Sequence, residues 1–494
     1  MGIVQKQGIR ITLITYLGII VGALNTMLIF PRVLGPEKHG LVMLLLSIAT
    51  VFTQFIHLGV PNIIIRFYPY FSEKKKFIHR MAFQLPIMAL MLFSVFIFLI
   101  GDTVFHSYNL KSSLFASHSS YVLPLVISLV LFEVLVAISR SELKTVFPSF
   151  LREFVLRVST LVLLGLHFIE YIDFSEFMLF WLGIYALNVA FMSLYLIINR
   201  LIKFNIGWPL IDDRILGIQM VSYGLVTLLT TSSIILVNRI DVFMLGYYLN
   251  LENVAFYSIP LFMATLIQIP ARSIMQIGKP LLAKAWEQND LNEIRELYRK
   301  TALNQMILGS LVFIGIWLNI DDILMLVPQK YQGVKFVYFF IGLAKLFDVS
   351  CGINGGILVT SEKYRYDLFI NLLLICLTLF TNVIFIPEDN FTPFSGIEGA
   401  ALATAISIII YNLVKWYLLK KWFRLQPFNY KFLLAIAVCL FTLFITSQLS
   451  FDFEMLFARI ILKSIFILTV FSGLILFFRI SPDINMLLYR LLNR

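Results

Sequence analysis

Apolar stretches of membrane-spanning length follow one another almost without pause from about Ile11 to Phe478, and the polar segments between them are nearly all short. Fourteen stretches can be marked: 11–31, 41–70, 81–101, 121–139, 154–169, 177–198, 216–237, 254–278, 302–319, 336–358, 368–386, 398–419, 432–449 and 457–478. In hydrocarbon a backbone group must find its hydrogen bond within its own segment, so each stretch is expected to be a transmembrane helix. The chain thus reads as an all-α integral membrane protein of about 14 transmembrane helices. Composition agrees: 60% of residues are apolar, 14% are charged, and 47 are Phe, more than a soluble core of this length could hide. The longest polar connection, Lys279 to Lys300, is only about twenty residues and too short to fold alone. Any chemistry must sit among helices or at their ends.

The second stretch exceeds the ~20 residues a bilayer requires, which predicts tilt, a kink near Pro61 or an extension into water. Between the eighth and ninth stretches, Leu291, Ile294, Leu297 and Tyr298 recur at helical spacing while Arg295, Arg299 and Lys300 take other faces. That pattern predicts a helix lying on the inner membrane surface. No small-residue cleavage site follows Met1 to Arg10, so the first helix is expected to stay in place.

Basic residues fix the orientation. With a cytoplasmic N-terminus, the inside segments hold Lys6 and Arg10, Lys74 to Lys76 with Arg80, Arg140 and Lys144, Arg200 and Lys203, Arg299 and Lys300, Lys363 and Arg365, and Lys420 with Lys421. The opposite loops hold few, among them Arg32, Lys111 and Lys330. This bias places both termini in the cytoplasm and requires an even number of spans. It also accounts for the net charge of +11 as a basic inner face toward anionic lipid, without nucleic acid.

Cys351, Cys376 and Cys439 fall within spans and lack both disulfide-framework and metal-ligand spacing. The six histidines are scattered, and HExxH, GxSxG, Walker A and GxGxxG motifs are absent from the sequence. The expectation is a protein without catalytic residues, metal or cofactor. An ATP-driven pump would need a phosphate-cradling loop and a soluble domain, and an extracytoplasmic transferase would need long polar outer loops. The largest outer loop, Asp102 to Ser120, carries no such constellation.

Local patterns narrow the class. The first two stretches are joined by Arg32, then Leu34-Gly35-Pro36-Glu37 and Gly40; the second runs through Leu58-Gly59-Val60-Pro61 to Arg66. The twelfth opens Gly396-Ile397-Glu398-Gly399-Ala400-Ala401-Leu402-Ala403-Thr404, after Pro387. The last is rich in small residues, which let helix backbones approach closely. In order and spacing along the whole chain, these segments resemble the polysaccharide-biosynthesis branch of the multidrug/oligosaccharidyl-lipid/polysaccharide exporter superfamily, the Wzx-like O-antigen and repeat-unit flippases.

The resemblance implies two pseudo-symmetric six-helix lobes, 1–210 and 211–425, around a central cavity, with two peripheral helices and a cytoplasmic tail in 426–494. A weak internal repeat, Asn25 to Gly35 against Asn238 to Gly246 and Pro61 against Pro270, fits that design. The implied substrate is an undecaprenyl-diphosphate-linked oligosaccharide, moved from the cytoplasmic to the outer leaflet of a bacterial inner membrane, with a lateral portal between the first and eighth helices. Membrane lipids, a polysaccharide polymerase and a chain-length regulator are the implied partners.

Charges inside the bilayer, each costing about 2.5 kcal/mol or more at midplane, usually face a watery cavity or one another. Arg66, Arg272, Lys345, Glu133 and Asp348 lie in expected spans. Arg offers a planar fork and Lys a point charge for phosphate oxygens, so Arg66, Arg272 and Lys345 are candidate diphosphate ligands. Asn25, Gln54 and Gln268 are candidate sugar ligands. Each has a second reading: the arginines as side chains reaching for inner headgroups, the amides as helix-to-helix hydrogen bonds. Asp348 and Glu133 are candidate coupling residues, although Lys345 and Asp348, three apart, could neutralise each other. Arg239 and Asp241 form either an outer gate or an interfacial capping cluster.

Three function classes compete: a flippase for lipid-linked oligosaccharide, with a lipid II flippase as its close relative; a drug or cation antiporter of the same superfamily; and a membrane polymerase or glycosyltransferase, which the short outer loops count against. A cation extruder calls for a carboxylate-rich interior, whereas these spans hold at least as many bases as acids. The topology is directly testable: cysteines placed at Ser72 and Ser113 should be labelled from opposite sides of the membrane. Labelling of both from outside would remove the assignment.

Overall fold

The computed structural model describes residues 3–71, 75–202, 214–389, 391–449, 454–483 and 485–486. Lys74, Lys203, Arg490 and Arg494, counted above among basic residues or in the tail, lie outside them. Every regular element among the described residues is helical. Two compact units emerge, 1–255 and 256–494.

The first unit begins with α1 (Ile3–Ala23), which continues through a π-helical turn, Leu24–Ile29. Then come α2 (Gly35–Ile56), α3 (Val60–Phe67), α4 (Lys75–Lys111) and α5 (Val122–Ser141). The next pieces, α6 (Val146–Phe150) and α7 (Leu156–Phe168), are joined by a second π segment, Leu151–Val155. The unit closes with α8 (Phe174–Ile198) and α9 (Arg214–Tyr248). The unit boundary falls inside α10 (Leu251–Thr265). The second unit adds α11 (Ile269–Glu287), α12 (Leu291–Leu318), α13 (Lys335–Ser350) and α14 (Asn354–Thr360). It ends with α15 (Arg365–Phe385), α16 (Gly396–Phe423), α17 (Tyr430–Gln448) and α18 (Leu456–Phe477).

Among the described residues, twelve helices are long and apolar enough to cross a membrane, and thirteen spans result if the pair Gln329–Ser350 and Asn354–Thr360, bent by 49°, is one. The stretch expected at 154–169 is helical but assembled from α6, the π turn and α7.

Side-chain caps set several helix starts. Asp173 and Glu176 form a reciprocal capping box on α8 at 2.7 and 2.9 Å. Asp290 accepts two amide protons at the start of α12, and Asn429 accepts one at α17. The long second stretch is broken rather than simply tilted. Gly59 takes a left-handed φ of 70°, the His57 ring nitrogen Nδ1 accepts its amide at 3.1 Å, and Pro61 sits in the first turn of α3, where no amide is needed. The small-residue run of α16 serves close approach: a Cβ on Gly399 would lie 1.9 Å from the Phe385 carbonyl oxygen of α15.

The segment 291–300 corrects an expectation. It is helical, but it is the first part of continuous α12 rather than a separate helix on the membrane surface. Its apolar face meets protein: Ile294 and Tyr298 are fully buried with Leu282, Ala285, Ile353, Ile357 and Leu419. An amphipathic period cannot distinguish a lipid surface from a neighbouring helix as the apolar partner.

The last helix is tied to α12 and the short helix Ile320–Leu324 that follows it. Asp322 pairs with Arg459 at 2.8 Å and Lys463 at 3.7 Å, and Asn319 reaches Ser464 at 3.3 Å. Midway along α12, Asn304 donates to Asp483 at 2.9 Å and accepts from Ser481 at 2.7 Å. Thermal unfolding in detergent checks the placement of 291–300. Tyr298→Ala should lose about 3 kcal/mol or more through a core cavity, whereas Arg295→Glu, half-buried and giving up an exposed hydrogen bond to Asn292, should cost about 1 kcal/mol or less.

Candidate functional site

In the first unit the sequence candidates fall into three groups. Arg66 ends α3 with its guanidinium exposed, 4.3 Å from the Tyr223 ring of α9 and 5.7 Å from that of Phe67. Tyr70, four residues on, is 72% exposed, so a cation and aromatic faces are presented together. Such a surface suits an anion carrying sugar rings, since Arg forks onto phosphate and rings stack on the apolar faces of sugars.

The second group lies where α1 and its π turn pack against the second π segment and α7. Asn25, in the first of them, is buried and donates to the Arg157 carbonyl at 2.8 Å. Gly18 and Gly22 open one face of α1: a Cβ on Gly18 would lie 2.2 Å from the Glu153 carbonyl, and one on Gly22 would lie 3.2 Å from the Arg157 side chain. Arg157 pairs with Glu153 at 3.0 Å, and Glu133 of α5 pairs with Arg152 at 2.8 Å. The Asn25 amide nitrogen thus holds this turn against α7, while its Oδ1 is buried without a hydrogen-bond partner. Gln54 is also buried, its Oε1 3.4 Å from the His57 ring Nε2 beside the α2–α3 break.

The third group is Arg239 and Asp241 on α9. Asp241 is buried, and Arg239 is partly buried in the field of Tyr185.

In the second unit Arg272 is exposed on α11, while Lys345 of α13 is buried at 4% exposure. Asp348, one turn on, has both carboxylate oxygens engaged: Gln268 donates to one at 3.1 Å and Asn412 to the other at 3.0 Å. Asn354, opening α14, donates to the Asn412 amide oxygen at 2.9 Å. Sequence reasoning thus named Gln268 and Asp348 separately, and the structure joins them. It passed over the strongest buried charge pair in the unit. Lys415 of α16 sits 3.1 Å from the Asp367 carboxylate of α15, both side chains 6% exposed. Asn371 donates to Asp367 at 2.8 Å and accepts from the Tyr411 hydroxyl at 2.8 Å. Asp367 was hidden because it falls just outside the apolar stretch 368–386, next to Arg365, where it reads as a loop charge. Lys415 was visible as a lone base inside 398–419, four residues from Tyr411 and three from Asn412.

Burial decides what these pairs are worth. Glu133 and Arg152 are each about a third exposed, so a double-mutant cycle should return roughly 1 kcal/mol or less of coupling. Removing one partner of the buried pair strands a charge, and Asp367→Ala should cost about 3 to 5 kcal/mol in the unfolding of the purified protein.

Comparisons with known proteins bear on the whole arrangement. No curated protein sequence matches the chain. Among solved structures, the fold is similar to that of "Lipid II flippase MurJ, inward closed conformation", with a TM-score of 0.74 at 15% identity, covering 95% of this chain and 99% of that one. It is also similar to an inward-facing multidrug resistance MATE family transporter of the MOP superfamily, with a TM-score of 0.65 at 14% identity over 82% and 94% of the two chains. A Vibrio cholerae MATE transporter aligns with a TM-score of 0.57 at 14% identity over 85% and 97%. At such identities the likeness speaks for the fold, that of the MOP exporters. Residues 4–286 match the family described as "Polysaccharide biosynthesis protein", more than half of the sequence. With the helical architecture and the motif order in agreement, the chain belongs to the polysaccharide biosynthesis protein family.

Proposed function

We propose that this protein is a flippase that carries a polyprenyl-diphosphate-linked oligosaccharide repeat unit from the cytoplasmic to the outer leaflet of a bacterial inner membrane, for surface polysaccharide such as O-antigen, capsule or exopolysaccharide. The observation that carries the reading is Arg66: an exposed guanidinium stacked on Tyr223 beside exposed Tyr70, in a chain of the polysaccharide biosynthesis family. Arg272, exposed in the second unit, is the other accessible phosphate ligand, and Lys345 is a buried one. An inside-negative potential contributes about 2.3 kcal/mol per charge per 100 mV, so outward movement of a diphosphate is downhill. Polymerase and chain-length regulator partners follow from this reading, as do two cytoplasmic termini.

Lipid II is the second reading, favoured by the MurJ-like fold. It shares the diphosphate and the sugars, so the same basic groups would serve. Extrusion of drug cations is disfavoured by the carboxylates themselves: Glu133 pairs with Arg152, Asp367 pairs with Lys415, and Asp348 is taken by two amides.

Flipping of fluorescent polyprenyl-diphosphate sugars by proteoliposomes tests the proposal. Arg66→Ala and Arg272→Ala should each lose about ten- to a hundredfold in apparent affinity, the value of a charge-assisted hydrogen bond. Arg272→Lys should be partly defective if the contact is bidentate. The exposed loop residue Lys363 is a better control than Lys463, whose ammonium approaches Asp322. Wild-type rates in both arginine variants would remove the basic-site mechanism, and transport of lipid II alone would shift the assignment to the second reading.

A further inference from the structure

The second unit interrupts one membrane helix where its buried polar groups converge. α13 ends at Ser350, Gly352 takes a left-handed φ of 61°, and α14 sets off at 49° to it. Around the break lie Asp348, Asn354, Asn412 and Gln268, already joined by hydrogen bonds. Irregular backbone at membrane depth is tolerated where it is buried in protein or lines a polar site, and broken helices are where transporters commonly seat small cations.

Beside this break the Lys415 ammonium has three neighbours: the Asp367 carboxylate at 3.1 Å, the Tyr411 ring face at 4.4 Å to its centroid, and Gly355, whose missing Cβ would stand 3.3 Å from the nitrogen. Asn371 braces the second carboxylate oxygen of Asp367 and receives the Tyr411 hydroxyl. Asp348 acts on Tyr411 and Cys351 as well, and Lys345 is buried one turn before it. A carboxylate, an aromatic face and the gap left by a glycine at a helix break make a seat for a small monovalent cation. Here that seat is filled from within.

We infer that Lys415 is a tethered cation: its ammonium occupies, beside Asp367, Tyr411 and Gly355, the place that an exchangeable monovalent cation would take. The carrier therefore keeps its second unit charge-balanced through the cycle without loading sodium at this position. A buried ion pair kept only to join two helices is replaceable by apolar side chains at little loss. What distinguishes the tethered cation is that the seat outlives the tether. The inference deepens the transport reading above by naming which cation balances the buried Asp367 carboxylate in the second unit, and its test contains no lipid-linked sugar, so the two can fail separately.

The experiment is thermal unfolding of the purified full chain in detergent, in chloride salts of sodium, lithium, methylammonium and choline at equal ionic strength. Lys415→Ala should melt well below wild type in choline. Sodium, lithium or methylammonium up to ~100 mM should recover most of the loss, as mass action requires of a cation that binds only the folded state. Wild type should melt alike in all four salts. The double variant Asp367→Asn with Lys415→Met should lose the cation response, because the carboxylate that defines the seat is gone. Should Lys415→Ala fail to yield folded protein, the same titration applies to Lys415→Gln, which keeps a polar side chain of similar length. A folded Lys415 variant that responds no better to small cations than to choline overturns the inference. So does a double variant that keeps the response, or a wild type that gains as much from sodium as the variant does.

Discussion

In hydrocarbon an amide or carbonyl group that leaves the helical ladder must find a partner within the protein. Each departure from regular α-helix in this chain shows how that demand is met. At the α2–α3 break the His57 ring accepts the Gly59 amide and Pro61 supplies a residue with no amide to satisfy. In the π segments the ladder widens by one residue rather than opening, and Asn25 ties the first of them to the Arg157 carbonyl. At the α13–α14 break Gly352 takes the turn, while Asn354 and Asn412 bridge the new helix to the old. Buried amides accompany these breaks, although others, such as Asn188 of α8 and Asn371 of α15, lie in unbroken helices.

Charges follow the same economy. The guanidinium groups of Arg66 and Arg272 are exposed, that of Arg66 lying against the Tyr223 ring. The buried ones are held by opposite charge, as Lys415 is by Asp367 and Asp322 is by Arg459.

What the sequence made legible was set by the range of the physics involved. Helix positions follow from local hydropathy, and the broken second stretch could be anticipated from its length and Pro61. Burial against a specific neighbour is not local, which is why 291–300 was misplaced on the membrane surface although its period was correctly read. Asp348 and Gln268 drew attention as polar groups inside apolar runs, but their direct hydrogen bond, and the second one from Asn412, depend on distant segments coming together. Asp367 could not be recognised from hydropathy at all, since a carboxylate two residues into α15 resembles a loop residue until its partner across α16 is known.

The fastening of α18 along α12 bears on biosynthesis. Asp322 and Asn304 are made well before Arg459, Lys463 and Asp483, with α13 to α17 intervening. A nascent chain must therefore hold the Asp322 carboxylate, in the short helix after α12, without these partners until α18 has left the ribosome. The second unit cannot reach its final electrostatic state during translation of its own early helices. The closing pair of helices acts as a late-arriving keystone, and a chain that lost them would leave Asp322 without these partners at the membrane.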